Sequence, residues 1–165
     1  MIKFEKVSKE QFIKDTKNLF PYMEEEDIIK AYDNLHLPER GSIGSAGYDF
    51  YSPLDFTLNT GDSPITIPLG IRAIMPNDVF LAIVPRSGVG FKTGVGLANQ
   101  VGVIDADYQC SPNEGHMMLK LVPGFKDYVV AAGDRVVQGI FLPFCVTSDD
   151  TTTAVRTGGI GSTGK

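Results

Sequence analysis

The stretch ITIPLGIRAIMPNDVFLAIV, Ile65 to Val84, holds three short apolar or alternating runs, Ile65 to Ile67, Ile71 to Met75 and Phe80 to Val84. Pro68, Gly70 and Pro76-Asn77-Asp78 separate them. Such runs are too short for helices, and their Ile, Val and Phe suit a pleated, half-buried surface. The rhythm continues through Leu97 to Ile104, Met117 to Val122 and Val136 to Leu142, with Gly, Pro, Asn and Asp cutting the chain about every ten residues. From Pro38 onward the pattern predicts an all-β domain, a barrel or a sandwich.

Before Pro38 the chain reads differently. Ser8 followed three places on by Gln11 spells a capping box, and Phe12 with Asn18-Leu19-Phe20 extends a short helix that Pro21 stops. A second helix is expected over Tyr22 to Leu35, with Met23, Ile28, Tyr32 and Leu35 at mixed helical spacing. The acidic run Glu24 to Asp27 falls at its positive end and reads as a solvated first turn. After Thr147, Ser-Asp-Asp-Thr-Thr-Thr leads into RTGGIGSTGK, which has little apolar area to hold it down, so a mobile tail is expected. The expected organisation is a helical extension over 1–36, a β domain over 37–150 and a tail over 151–165 that closes on a ligand.

With 165 residues the chain has the length of one domain with a substantial core. A net charge of -5 without a clustered basic face argues against a nucleic-acid groove and for a small anion gripped locally. No apolar run approaches the roughly 18 residues of a membrane span, and no secretory leader pattern opens the chain, so a cytoplasmic protein is expected. Cys110 and Cys145 stand far apart, and with only His36 and His116 besides they make a poor metal cage. Both read as plain thiols.

Arg86-Ser87-Gly88 follows the apolar strand and Pro85, where a strand turns into a loop. A guanidinium presents forked donors that match phosphate oxygens, and a glycine lets backbone N–H groups approach the same anion. Alone, the tripeptide is weak evidence, because an Arg in a turn is more often a surface residue. Asp105 ends the apolar stretch Val101 to Ile104, and alternation points it to the face of Val101 and Val103. A carboxylate there is either paired structurally or placed to orient and deprotonate a water. Asp107 reads as a turn residue. The end of the chain spells GxGxxG and most of GxxxxGK, but both phosphate-binding readings need a following helix and the sequence supplies none.

Five strings in order carry a resemblance. They are GSAGYD with Asp49, PRSG with Lys92, NQVGVIDADY, Gly133-Asp-Arg-Val-Val-Gln138, and Arg156 with GGIGSTG. Over Leu37 to Lys165 the chain resembles the trimeric deoxyuridine triphosphatase (dUTPase) family. The resemblance implies a β-barrel or jelly-roll subunit, a homotrimer with active sites at its subunit interfaces, and dUTP as substrate. It also implies attack of water on the α-phosphorus, giving dUMP and pyrophosphate, with Mg²⁺ held by the phosphates. Asp105 matches the family residue that activates the water.

By the same resemblance, Asn99, Gly102 and Val103 read the uracil, Tyr108 packs on the deoxyribose and excludes a 2′-hydroxyl, and Arg86, Ser87, Gly88 and Gln138 hold the inner phosphates. Arg156, Ser162 and Thr163 cover the γ-phosphate, and Ile160 covers the base. Asp49 either reaches the metal through water or supports Arg86. Uracil presents one donor between two acceptors, and cytosine would leave the same buried groups mispaired. The chain departs from the pattern in three places. Ile160 replaces the usual Phe, Arg156 stands one residue closer to the glycines, and Gln109 to His116 is inserted after the third motif, where Pro112-Asn113 and Gly115 predict a lengthened hairpin. His116 reads as a pairing or partner-facing residue. Two other functions suit the fold, a dCTP deaminase (alone or also hydrolysing dUTP) and a nucleotide-sensing regulator. Deamination needs a glutamate in the strand after the third motif, where this chain has Met117-Met-Leu-Lys-Leu.

Overall fold

The computed structural model describes residues 1–158. Its longest strand is β12 (Arg135–Pro143), which pairs antiparallel with β3 (Tyr48–Tyr51) on one side and β7 (Val79–Pro85) on the other. β2 (Glu39–Arg40) extends the sheet beyond β3, and β9 (Gly102–Ile104) extends it beyond β7. A register shift between Arg135 and Val137 is a bulge, and it lets the successive side chains Val136 and Val137 both be buried. At Gly139 a Cβ would come within 2.7 Å of the Phe50 ring and 2.9 Å of Leu81, so the missing side chain is what lets the sheet close onto its core.

A three-stranded sheet, β5 (Ile65–Pro68), β10 (Met118–Val122) and β8 (Gly96–Leu97), packs against the first. Two ribbons complete the strands, β4 (Phe56–Leu58) with β11 (Tyr128–Val130) and β1 (Lys3–Lys6) with β6 (Ile71–Ile74). One apolar core runs through Phe50, Leu58, Ile67, Leu81, Ile83, Leu119 and Leu121. In β6 and β10 alternation sends every second side chain into it, whereas β7 buries Leu81, Ala82 and Ile83 in succession.

Three helices are present among the described residues, so the domain is mostly β and not all-β: α1 (Lys9–Leu19), α2 (Glu25–Asp33) and α3 (Ser87–Thr93). Among the described residues the strands form four hydrogen-bonded sheets. α3 occupies the stretch expected to be a loop. Two glycines make SGVGFKT a poor helix, but buried Val89, the Thr93 hydroxyl donating to the Val89 carbonyl (2.7 Å) and the left-handed Gly94 cap hold it. The run Leu97 to Ile104 is likewise not one strand. Gln100 adopts φ +62°, the chain turns there, and β8 and β9 join different sheets.

The N-terminal extension contains the two expected helices, the second shorter than predicted, and also β1. Lys3-Phe-Glu-Lys has one apolar residue, too little for a strand signal, and its extension depends on pairing with β6. Ser8 caps α1 by accepting from the Gln11 N–H at 3.1 Å, which is half of the capping box. The return bond is replaced. Gln11 donates to Asp15, and the Ser8 N–H donates to Glu114 Oε2 at 2.8 Å. The insertion is therefore not a lengthened hairpin: a 3-10 turn (Ala106–Cys110) runs into tight turns through Glu114 (φ +60°) and Gly115 (φ +75°) that receive α1.

Candidate functional site

A cavity of about 650 Å³ opens beside β9. Ile83, Met117 and Leu119 form its apolar base, while Asn99, Gly102, Val103, Asp105, Tyr108 and Arg156 surround its mouth. β9 is the last strand of its sheet, so only one edge is paired, with β7. The other edge offers backbone donors and acceptors to a planar polar ligand. Gly102 packs so tightly on β7 that a Cβ would approach Ile83 Cβ to 3.2 Å. Val101 and Val103 are exposed on the same face as Asp105, as alternation predicted.

Asp105 sits where β9 passes into the 3-10 turn, with its side chain about half exposed (52%). Arg156 crosses over it. Its Nη2 lies 2.6 Å from Asp105 Oδ2, its Nε lies 2.8 Å from Asp107 Oδ1, and its guanidinium stands 5.5 Å over the Tyr108 ring. Asp107 is thus an ion-pairing residue, a role the sequence reading missed because it depends on a segment 49 positions away. Tyr108 is buried, and burial first of all raises its hydroxyl pKa, partly offset by the Asn113 hydrogen bond. The hydroxyl therefore stays a neutral donor, and it bonds the His116 carbonyl at 2.8 Å.

A second polar group is assembled by the β3-β12-β7 ladder. Gln138 stands opposite Asp49 on one side and Val84 on the other, two residues from Arg86. Arg86 Nε donates to Asp49 Oδ1 at 2.8 Å, and Arg135 Nη1 reaches Asp49 Oδ2 at 3.3 Å. Both carboxylate oxygens face guanidinium groups, so Asp49 supports Arg86. Arg135 had no role in the sequence reading, although its place in the fourth string was a signal. Gln138 donates to the Pro85 carbonyl at 3.3 Å, over Gly47, where a Cβ would meet Gln138 Oε1 at 2.5 Å. Ser87 and Gly88 follow in the first turn of α3.

These two groups are distinct on one chain. Arg86, Ser87, Gly88 and Gln138 do not line the cavity that Asn99, Gly102, Val103, Asp105, Tyr108 and Arg156 surround. Ile160, Ser162 and Thr163 lie outside the described residues. His116 is a pairing residue, fully buried against Asp15. Among the described residues no three His, Cys, Asp or Glu side chains cluster as a metal cage, and no helix is long and apolar enough to cross a membrane.

The dUTPase family profile matches residues 33–164. The chain is 39% identical over 145 residues to the deoxyuridine 5′-triphosphate nucleotidohydrolase of Lactococcus lactis, covering 84% of this chain and 95% of that protein. It is 35% identical over 151 residues to the protein of the same name from Haemophilus ducreyi, covering 83% and 95%. Its fold is similar to the crystal structure of dUTPase from Streptococcus mutans, with TM-score 0.65 and 31% identity over 88% of this chain and 98% of that one. A dUTPase from phage phi11 of Staphylococcus aureus, described with a structural Mg(II) ion, shares the fold at TM-score 0.65 and 16% identity over 93% and 97% of the two chains. With a family match over most of its length and relatives of this identity across nearly their whole sequences, the chain belongs to the dUTPase family.

Proposed function

We propose that this chain hydrolyses dUTP to dUMP and pyrophosphate, removing dUTP from the nucleotide pool and supplying dUMP. The observation that carries the reading is Asp105 at the mouth of a cavity walled by the free edge of β9 and by Tyr108, with a guanidinium positioned above it. Uracil would pair with the backbone of Gly102 and Val103 and the Asn99 amide, the deoxyribose would pack on Tyr108, and Asp105 would take a proton from a water as that water attacks the α-phosphorus. The bond to the pyrophosphate oxygen then breaks. Arg86, Ser87, Gly88 and Gln138 would hold the inner phosphates, and Arg156, Ser162 and Thr163 the outer one, with Ile160 over the base. Positioning and charge neutralisation are what phosphoryl transfer chiefly requires.

The carboxylates fit a cation carried by the nucleotide and not a protein cage: Asp49 is spanned by two arginines, and Asp105 and Asp107 share a third. Mg²⁺ bound to the phosphates would neutralise their charge while retaining water ligands. The phosphate group and the cavity are separate on one chain, which supports the homotrimer of this reading, each site completed by a neighbouring copy. Barrel or jelly-roll closure, an extension over 1–36, a domain over 37–150, a closing tail over 151–165, of which 159–165 lie outside the described residues, and a cytoplasmic location belong to the same proposal. For the deaminase alternative, β10 brings Met118 and Lys120 to the cavity and no carboxylate, while Glu114 is occupied by Ser8.

The test is pyrophosphate release with Mg²⁺ from dUTP, dCTP, dTTP and UTP, with ammonia release measured on dCTP. Release from dUTP alone is expected, falling about 10²–10⁴-fold in Asp105→Asn, the usual worth of a general base. Unchanged release in that variant would remove Asp105 from the chemistry, and nucleotide binding without release would favour a sensor.

A further inference from the structure

Two features outside the five motif strings, the N-terminal extension and the insertion after the third motif, are bonded to each other. Glu114 in the insertion accepts from both the N–H (2.8 Å) and the hydroxyl (2.6 Å) of Ser8 at the start of α1. It does so from a left-handed backbone (φ +60°), a conformation a glutamate holds only when its surroundings fix it. About two turns into α1, Asp15 Oδ2 meets His116 Nδ1 at 2.7 Å. His116 Nε2 accepts from the Gly70 N–H at 2.8 Å, so that nitrogen carries no proton and Nδ1 is the donor to Asp15. The ring is fully buried with both nitrogens used.

The same residue's main chain holds the cavity wall. The Tyr108 hydroxyl donates to the His116 carbonyl at 2.8 Å and accepts from Asn113 Nδ2 at 2.9 Å. Asn113 is oriented by Ser111, whose hydroxyl lies 2.6 Å from its Oδ1, and the His116 N–H returns to the Asn113 carbonyl at 3.0 Å. A tyrosine that must leave no space for a 2′-hydroxyl has to be held to within a fraction of an ångström, because the oxygen it excludes is small. Here the fixing point of its ring is a carbonyl whose own position is set by a histidine clamped between Gly70 and α1.

We infer that Asp15 and His116 are positioning residues for substrate selection, holding Tyr108 through the His116 carbonyl so that the extension tunes discrimination between deoxyribo- and ribonucleotide. This rests on the placement of Tyr108 against the sugar proposed above. The relay lies outside the reacting atoms, so its loss acts on the sugar and leaves the Asp105 chemistry in place.

The experiment compares kcat/KM for dUTP and for UTP in the full chain and in Asp15→Ala, Asp15→Asn, Tyr108→Phe, Tyr108→Ala and the double variant Asp15→Ala/Tyr108→Phe. The dUTP preference is expected to fall about tenfold in Asp15→Ala, comparable to a misfit of one methylene group. Asp15→Asn keeps an acceptor for His116 Nδ1 and is expected to recover most of the preference. Tyr108→Phe cuts the same link and should match Asp15→Ala, and the double variant should be no worse than either single one, the signature of two residues acting through one contact. Additive losses in the double variant would overturn the relay, as would an unchanged preference in a folded Asp15→Ala protein. If Asp15→Ala does not fold, a full dUTP preference in Tyr108→Phe overturns the relay by itself. Tyr108→Ala separates the two levels of the argument: an unchanged preference there removes Tyr108 from the sugar wall, whereas a loss there with none in Asp15→Ala and Tyr108→Phe removes only the relay.

Discussion

Arg156 spans two carboxylates, with Nη2 at 2.6 Å from Asp105 and Nε at 2.8 Å from Asp107, and its side chain is only 10% exposed although the preceding residues are open to solvent. On the proposed function, a guanidinium in that place would neutralise the segment that the triphosphate approaches. Phosphate oxygens would compete with Asp105 for the same forked donors, so on the proposed function substrate entry and release of the Asp105 carboxylate would be one exchange.

The first prediction concerns that exchange. Arg156→Ala is expected to weaken binding of a non-hydrolysable dUTP analogue by tenfold or more, since a hydrogen bond to a charged group is worth about 1.5–3 kcal/mol. Titration calorimetry measures it. Protease cleavage within 147–155 should also accelerate in the empty protein, because Arg156 ties that exposed stretch to the domain. Unchanged affinity would leave Arg156 with a structural role only.

A second prediction follows from Asp49, which fixes Arg86 while Arg135 approaches its other oxygen. Arg135 is half exposed, so the group as a whole is worth about 1 kcal/mol in stability, and Asp49→Ala should lower Tm by roughly 2–4 °C. Activity should fall further, by on the order of 10–100-fold in kcat/KM, because the freed guanidinium no longer holds one geometry. A Tm loss with normal kinetics would show that Arg86 does not grip the substrate.

Gly47 separates packing from function more sharply. Its absent side chain leaves the space occupied by Gln138 Oε1, 2.5 Å from where a Cβ would lie. The obstacle is the end of a flexible side chain, so Gly47→Ala is expected to fold with Tm nearly unchanged while displacing Gln138 and raising KM for dUTP. A matching rise in Gln138→Ala, with no added effect in the double variant, is the check. Independent effects would show that the glycine serves another purpose.

Much of this was legible in the chain. Short apolar runs between Gly and Pro located β5, β6, β7, β10 and β12 within a residue or two, because each run supplies buried side chains to one core. What escaped depends on contacts that single runs do not encode. β1 exists through β6, α3 through Gly94 and buried Val89, and the split of Leu97 to Ile104 through the left-handed Gln100. Asp105, Tyr108, Asn99 and Gly102 line one cavity, as the resemblance of their string to the family's third motif implied. The separation of that cavity from Arg86 and Gln138 is not encoded in the residues themselves, because sequence order does not say which strings the fold brings together; only the resemblance, through sites at subunit interfaces, implied it.

The junction between the extension and the insertion gives an acid-dependent prediction. The two bonds from Ser8, side chain first and backbone second, hold the Glu114 carboxyl below its usual range. A carboxylate depressed in the folded state contributes stability that is fully present above its unfolded pKa, roughly 4.3, and is lost as pH falls through the folded value. The wild-type Tm should therefore drop steeply below about pH 4.3, where the unfolded chain takes up protons more readily than the folded one. Glu114→Gln, unable to titrate, should start from a lower Tm at pH 7 and lose less between roughly pH 5 and 3. Burial raises the Asp15 pKa, but bonds from His116 and Gln11 outweigh it, and Glu5 is held low by Lys3 and then Arg72. Both titrate in either protein, so the difference between the two curves isolates Glu114. Parallel curves would mean that Glu114 has the same proton affinity folded and unfolded, and that its bonds to Ser8 do not anchor the extension.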